Sequence, residues 1–233
     1  MLTMRDTDQG AAPGIMPGTR RYTRHVAYQL AAIIKARDVI TYEHCRRVAI
    51  YAQRLAHAMG LQRGAARDVA LAGLIHDLGK TWMQNDVLNK ASALSPDERL
   101  MMQQHPQIAA RIMYAYNVPD DLIEIVLHHH EAYNGTGYPD GLKGDAIPLG
   151  ARILSVADVF DALTSSRPYK EAMLAKSAYD LIAAWSGANF DPAVVAAFSR
   201  LIESRPDFQL SPSTCPLGAG DPAWDDHDHL GVA

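Results

Sequence analysis

The sequence predicts an all-α protein built as a single helical domain. Three observations lead there. Apolar residues recur every three or four positions through most of the chain. Helix-start signals stand between the periodic stretches, and glycine or proline closes them. No pair of alternating strands flanks a hairpin turn.

The elements follow in order. Residues 1–20 carry Gly, Pro, Asp and Thr without period and read as a disordered arm. Residues 22–37 place Val26, Leu30, Ile33 and Ile34 at helical spacing, on a face that packs on its own domain or on a second subunit. Residues 41–59 repeat the pattern with Val48, Ala52, Leu55 and Met59, and Gly60 is a stop signal. A third helix covers 64–78. Ser95, Pro96 and Glu98 form a capping box with proline at the first helical position. Pro106 opens the next helix, and Pro119-Asp120-Asp121 opens another that ends in a histidine run. Residues 131–147 hold four glycines and a proline, hence a loop. Residues 148–163 are helical again, and two further helices end the domain, the last opened by Asp191-Pro192. Residues 206–233 read as a disordered acidic tail. The tail contains Asp225-Asp226-His227-Asp228-His229, which nothing organises into a metal site. The predicted domain is 21–205.

Composition narrows the function. The chain has 233 residues, a formal charge of −4, and 48% apolar and 21% charged residues. That is an ordinary soluble globular balance, with a core large enough to need no disulfide. It argues against a polymeric nucleic-acid platform and against a polybasic membrane anchor. No apolar run reaches the ~18 residues of a membrane span. The first residues lack the apolar stretch of a signal peptide. Cys45 and Cys215 have neither disulfide nor CxxC spacing. These features together predict a cytoplasmic protein that does not associate with membranes. Ten histidines remain to be explained.

Several of them stand where chemistry is possible. His76-Asp77 is an imidazole and a carboxylate set among Leu71, Leu74, Ile75 and Leu78, a pair able to clasp one cation. Taken alone it fits equally a helix end bonded to backbone. His44 shares the apolar face of its helix, whereas His57 falls off it and His25 reads as surface. His105 stands just before Pro106. Neighbours on a helix diverge by about 100°, so at most two of His128, His129 and His130 can address one site, and only where the helix ends. Asp158 and Asp161, three apart, share one face of an apolar helix and need partners there. Arg167 and Lys170 offer a planar fork and a point charge, both suited to phosphate oxygens.

Together these residues resemble the HD-GYP family of cyclic-dinucleotide phosphodiesterases, a branch of the HD hydrolases. The resemblance runs over roughly 41–198. It rests on HDLGK at 76–80, QHP at 104–106, HHE at 129–131, GTGYPDGLKG at 135–144, IP at 147–148, ARILSVADVFDALTSSRPYK at 151–170 and FDP at 190–192.

The resemblance implies an all-α, metal-dependent enzyme that hydrolyses cyclic di-GMP to linear pGpG, and in some members on to GMP, through a hydroxide bridging two cations. It implies Fe or Mn held by His44, His76, Asp77, His105, His129, His130 and Asp158, with Asp77 shared between the cations. It further implies that Lys80 touches a phosphate oxygen beside Asp77, and that Arg167 and Lys170 hold the phosphodiester. Tyr138 and its loop shape the cleft, and in some members that loop meets a diguanylate cyclase. Glu131 and Asp161 are expected to orient ligand histidines, and His128, which is given no ligand role, to be structural or to sit just outside the ligands. The alternatives are an HD hydrolase for another cyclic dinucleotide such as 3',3'-cGAMP, and a weakly catalytic sensor or cyclase-docking module. The sequence also departs from the family. Ile40 replaces the glutamate found in three-metal members, which favours two metals. Asn134 and Ser166 replace aspartates, and Thr81-Trp82-Met83-Gln84 replaces an aliphatic run along the cleft.

Overall fold

A computed structural model describes residues 16, 18–83, 86, 90, 93–166 and 171–204. The predicted tail 206–233, most of the predicted arm, and Arg167 and Lys170 lie outside the described residues. The helices are α1 (Arg20–Arg37), α2 (Val39–Ala58), α3 (Arg63–Ile75), α4 (Pro96–Met102), α5 (His105–Ala115), α6 (Asp120–Leu127), α7 (Leu149–Thr164), α8 (Ala175–Ala184) and α9 (Pro192–Ser204). Short 3-10 turns cover Leu78–Trp82 and Gly144–Ala146. Among the described residues there is no strand, only an isolated bridge between Ser186 and Phe190. No helix among them is long and apolar enough to cross a membrane.

Local chemistry sets most boundaries. Thr19 Oγ1 accepts the Tyr22 amide at 3.2 Å and starts α1 two residues before its apolar period begins. Asp38 ends α1 and starts α2. Its amide donates to the Ile34 carbonyl at 2.8 Å, and its carboxylate accepts from the Ile40 amide at 2.9 Å and the Thr41 hydroxyl at 2.6 Å. That cap moves the start of α2 to Val39, ahead of the predicted residue 41. The Ser95–Glu98 capping box is complete in both directions, at 3.3 and 2.7 Å.

The predicted third helix is shorter than expected. It ends at Ile75, and the chain tightens into the 3-10 turn instead of running on to 78. A continuous α-helix would splay His76 and Asp77 by about 100°. The tightened turn lets both side chains reach the same space.

The core lies between α2, α3 and α7. Tyr51 meets Phe160 edge to face with ring centroids 5.0 Å apart, and Phe160 meets Phe198 in the same way at 4.9 Å. α1 buries Val26, Leu30, Ala31 and Ile34 against α2 and α3, so its apolar face is used within its own domain. Thus α2, α3 and α7 pack into one wall. The ends of α3 and α6, the start of α5 and the middle of α7 open onto one side of it.

Candidate metal centre

All seven predicted ligands meet at that opening. His44 Nε2 lies 3.0 Å from Asp158 Oδ1 and 3.8 Å from Asp77 Oδ2. His76 Nε2 lies 3.5 Å from Asp77 Oδ2 and 3.9 Å from Asp158 Oδ1. On the other side of Asp77, His105 Nε2 lies 3.4 Å from Oδ1 and 3.4 Å from His129 Nε2. His130 joins His105 and His129 in a group whose ligand atoms are mutually within 4.8 Å.

Helix ends aim three of these rings. His76 Nδ1 meets the Gly73 carbonyl at 2.8 Å, His105 Nδ1 the Met102 carbonyl at 2.8 Å, and His129 Nδ1 the Val126 carbonyl at 2.6 Å. Each carbonyl lies three residues earlier, in the last turn of α3, α4 or α6, where backbone oxygens lack helical partners. A carbonyl only accepts, so Nδ1 carries the proton and Nε2 presents a lone pair. The histidine run behaves as its spacing requires: α6 ends at Leu127, and His129 and His130 turn inward from beyond it.

His44 is oriented differently. Its Nδ1 faces Asp161 Oδ2 at 2.7 Å. Arg47 grips the same carboxylate through Nε at 2.7 Å and Nη2 at 3.0 Å. Asp161 therefore does what was expected of it. Glu131 does not, because its Oε1 accepts the Asp140 amide at 2.8 Å rather than a ligand histidine's N–H. The loop bends back over the histidines and brings that amide to the carboxylate first.

Electrostatics make the centre a cation receptor. Burial, together with the positive charge of Lys80, lowers His105 to about 3. Burial is also the main cause that brings His130 down to about 4 and His129 well below its usual value. Burial opposes ionisation of Asp77 and Asp158, but surrounding histidines and, for Asp77, Lys80 hold both below the carboxylate range. For His44, burial is overcome by Asp158 and Asp161, which raise it to about 9. Near neutral pH, then, His105 and His129 are uncharged and their lone pairs face each other. Asp77 Oδ1 is buried with no hydrogen-bond partner. Electron-rich atoms at 3.4 Å with no proton between them cost several kcal/mol unless a cation joins them. Nitrogen and carboxylate donors suit divalent transition metals.

The sequence pattern of the family described as the HD domain fits residues 29–194. The chain belongs to the HD domain family. It is 41% identical to the cyclic di-GMP phosphodiesterase response regulator RpfG of Xanthomonas campestris, over 76% of this chain and 47% of that protein. It is 39% identical to a cyclic di-GMP phosphodiesterase of Thermotoga maritima, over 71% of this chain and 45% of that protein. A 3'3'-cGAMP-specific phosphodiesterase of Vibrio cholerae is 35% identical, over 78% of this chain and 35% of that protein. The chain thus spans less than half the length of each of these relatives. The same fold appears in the solved HD domain of the Listeria monocytogenes phosphodiesterase PgpH with cyclic-di-AMP. There the TM-score is 0.56 at 18% identity, covering 78% of this chain and 99% of that one.

Around the centre of this HD domain, Lys80 Nζ lies 2.7 Å from Asp77 Oδ2. Burial lowers its pKa, but Asp77 and Asp158 outweigh that and raise it, so it stays charged. Gly79 permits a close approach between the 3-10 turn that carries Lys80 and the start of α5. A Cβ there would sit 2.0 Å from the His105 carbonyl oxygen. Tyr138 stacks 4.9 Å from His130, and burial raises its phenol, which keeps it a hydrogen-bond donor. His25 and His57 are exposed, as expected. Ile40 is 70% exposed on the first turn of α2. The residue that sequence reasoning missed is Arg47. Its signal was its position three after His44, on the same face of α2.

Proposed function

We propose that this HD domain, residues 21–205, is a metal-dependent phosphodiesterase that hydrolyses cyclic di-GMP to linear pGpG. The observation that carries the reading is Asp77. Its Oδ2 faces His44 and His76 while its partnerless Oδ1 faces His105, the arrangement of a carboxylate shared between two cations. The relatives named cyclic di-GMP phosphodiesterases support the substrate.

In this reading His44, His76, Asp77 and Asp158 hold one cation, and Asp77, His105, His129 and His130 hold the other, with Fe or Mn as the metal. Such a pair supplies Lewis acidity and an activated water at neutral pH. The protein's own groups position and balance charge. Lys80 keeps an ammonium beside Asp77, where phosphoryl oxygens gain charge in the transition state. Arg167 and Lys170 would hold the phosphodiester, and Tyr138 donates from the loop wall. Water adds to one phosphorus, the bond to the ribose oxygen breaks, and a linear dinucleotide with a terminal phosphate leaves. GMP follows where the product re-enters. We place this work in the cytoplasm, and assign the Tyr138 loop as the face that would meet a diguanylate cyclase.

A second reading, hydrolysis of 3',3'-cGAMP, is favoured by the Vibrio cholerae relative. The test is anaerobic protein loaded with Mn²⁺ or Fe²⁺ and incubated with each cyclic dinucleotide, with products separated by chromatography. A chelated sample and Asp77→Ala run alongside. Linear product from cyclic di-GMP in the loaded wild type alone supports the first reading. Turnover of 3',3'-cGAMP alone replaces it with the second. No turnover of any cyclic dinucleotide by protein with bound metal rejects the enzyme in favour of a sensor.

A further inference from the structure

Another cluster of metal-ligating side chains takes no part in this centre. His128 closes α6 and is 5% exposed. Its Nδ1 faces both the backbone carbonyl and the Oε2 of Glu124, each at 3.1 Å. Both are acceptors, so Nδ1 carries a proton. Nε2 turns the other way, to within 3.0 Å of Asp140 Oδ2. Glu131 completes the group and is 4% exposed. Its Oε1 accepts the Asp140 amide, while its Oε2 is buried with no hydrogen-bond partner. One ligand atom from each of His128, Glu131 and Asp140 lies within 4.8 Å of the other two.

We propose that His128, Glu131 and Asp140 form a separate binding site for one divalent transition-metal cation, with Zn²⁺ as the best fit. An imidazole nitrogen with two carboxylates is a donor set suited to Zn²⁺ rather than to Ca²⁺ or Mg²⁺. Zinc bonds to such donors of about 2.0–2.2 Å place adjacent ligand atoms roughly 3–3.5 Å apart. The His128–Asp140 pair already stands at that spacing, and Glu131, with a ligand atom within 4.8 Å of both, would move in to join it. Glu124 is the outer partner that fixes the ring and its tautomer, as ligating histidines require. Of the carboxylate oxygens in this cluster, the buried and unpartnered Glu131 Oε2 is the one a cation would satisfy.

The site would act as a clamp. His128 and Glu131 flank His129 and His130, while Asp140 follows the Gly137-Tyr138-Pro139 turn. Gly137 already packs against this backbone, where a Cβ would lie 2.2 Å from the Ala132 nitrogen. The Tyr138 amide donates to the His130 carbonyl at 3.2 Å. A cation joining Asp140 to His128 would pin the loop over the centre. The clamp does not depend on which dinucleotide is cleaved.

The test is Zn²⁺ stoichiometry by equilibrium dialysis on the full chain, comparing wild type, Asp140→Asn and His128→Gln. Asp140 is exposed, so its variant should fold. We expect wild type to bind one equivalent more than either variant. Hydrogen exchange in 135–144 should slow on Zn²⁺ addition in wild type but not in Asp140→Asn. Equal Zn²⁺ binding by wild type and Asp140→Asn overturns the site, whatever His128→Gln does.

Discussion

Arg47 and Asp161 form a two-pronged buried ion pair, 2.7 and 3.0 Å long, and Asp161 passes that order on to His44 at 2.7 Å. The contact joins residues 114 apart in sequence and fastens α2 to α7 at the edge of the centre. Two carboxylates on one turn of α7 thereby divide their labour. Asp158 faces the Nε2 of His44, and Asp161 faces its Nδ1.

Asp161→Asn should weaken divalent-metal affinity about 10–100-fold while leaving the protein folded, because it loosens the orientation of His44 without removing a ligand. Metal titration of the apoprotein measures this. Unchanged affinity would show that His44 needs no such partner. Arg47→Met should act differently, since it strands a buried carboxylate. A loss of roughly 3–5 kcal/mol in denaturant unfolding is expected.

Gly79→Ala should disconnect the 3-10 turn from α5. The added carbon would meet the His105 carbonyl oxygen at 2.0 Å, and both partners are backbone. A cost of about 1–3 kcal/mol is expected, together with loss of bound metal, because His105 and Asp77 move apart. A variant with wild-type stability and full metal content would contradict the closeness of this contact.

Lys80→Met should separate chemistry from metal binding. The ammonium balances Asp77 but donates no lone pair to a cation. Turnover should fall by about 10²–10³-fold while metal content per chain stays near that of wild type. Parallel loss of both would make Lys80 a structural partner of Asp77 alone.

The metal-free protein should lose stability on mild acidification. His105 and His130 have folded pKa values of about 3 and about 4, below the unfolded value of about 6.5. Between those limits the unfolded chain binds more protons, so stability falls as pH drops below about 6.5. The expected slope is on the order of 1 kcal/mol per pH unit for each histidine. His44 has the opposite sign. Raised to about 9, it contributes fully below about 6.5 and loses that contribution as pH rises through 9. Urea unfolding of apoprotein at pH 5, 7 and 9.5 should therefore peak near pH 7. A monotonic rise from pH 5 to 9.5 would reject the His44 contribution.

Phe160→Ala should cost about 3–5 kcal/mol, since the ring is fully buried between Tyr51 and Phe198. Denaturant unfolding reads this directly. A cost below 1 kcal/mol would show that the core collapses into the gap.

The helices and the kinds of chemistry the chain could carry are legible in the sequence. Their signals are local. The 3.6-residue period, the Ser95–Glu98 capping box and the stop at Gly60 involve residues only a few positions apart, and each appears in the structure. The residues of HDLGK, HHE and the Tyr138 loop also stood out, because those side chains have no place in an ordinary apolar core. Long-range packing sets where each polar atom points. It ended α3 at Ile75 so that His76 and Asp77 turn together. It brought Arg47 to Asp161, gave Glu131 to the Asp140 amide instead of a histidine ring, and set His128 against Asp140. The partners of Asp161 lie 114 and 117 residues away. The His128–Asp140 and Glu131–Asp140 contacts depend on how a glycine-rich loop closes. Hydrophobic period reports which face of a helix is buried, whereas the direction of a hydrogen bond at a helix end is set by whatever chain the whole fold packs against it.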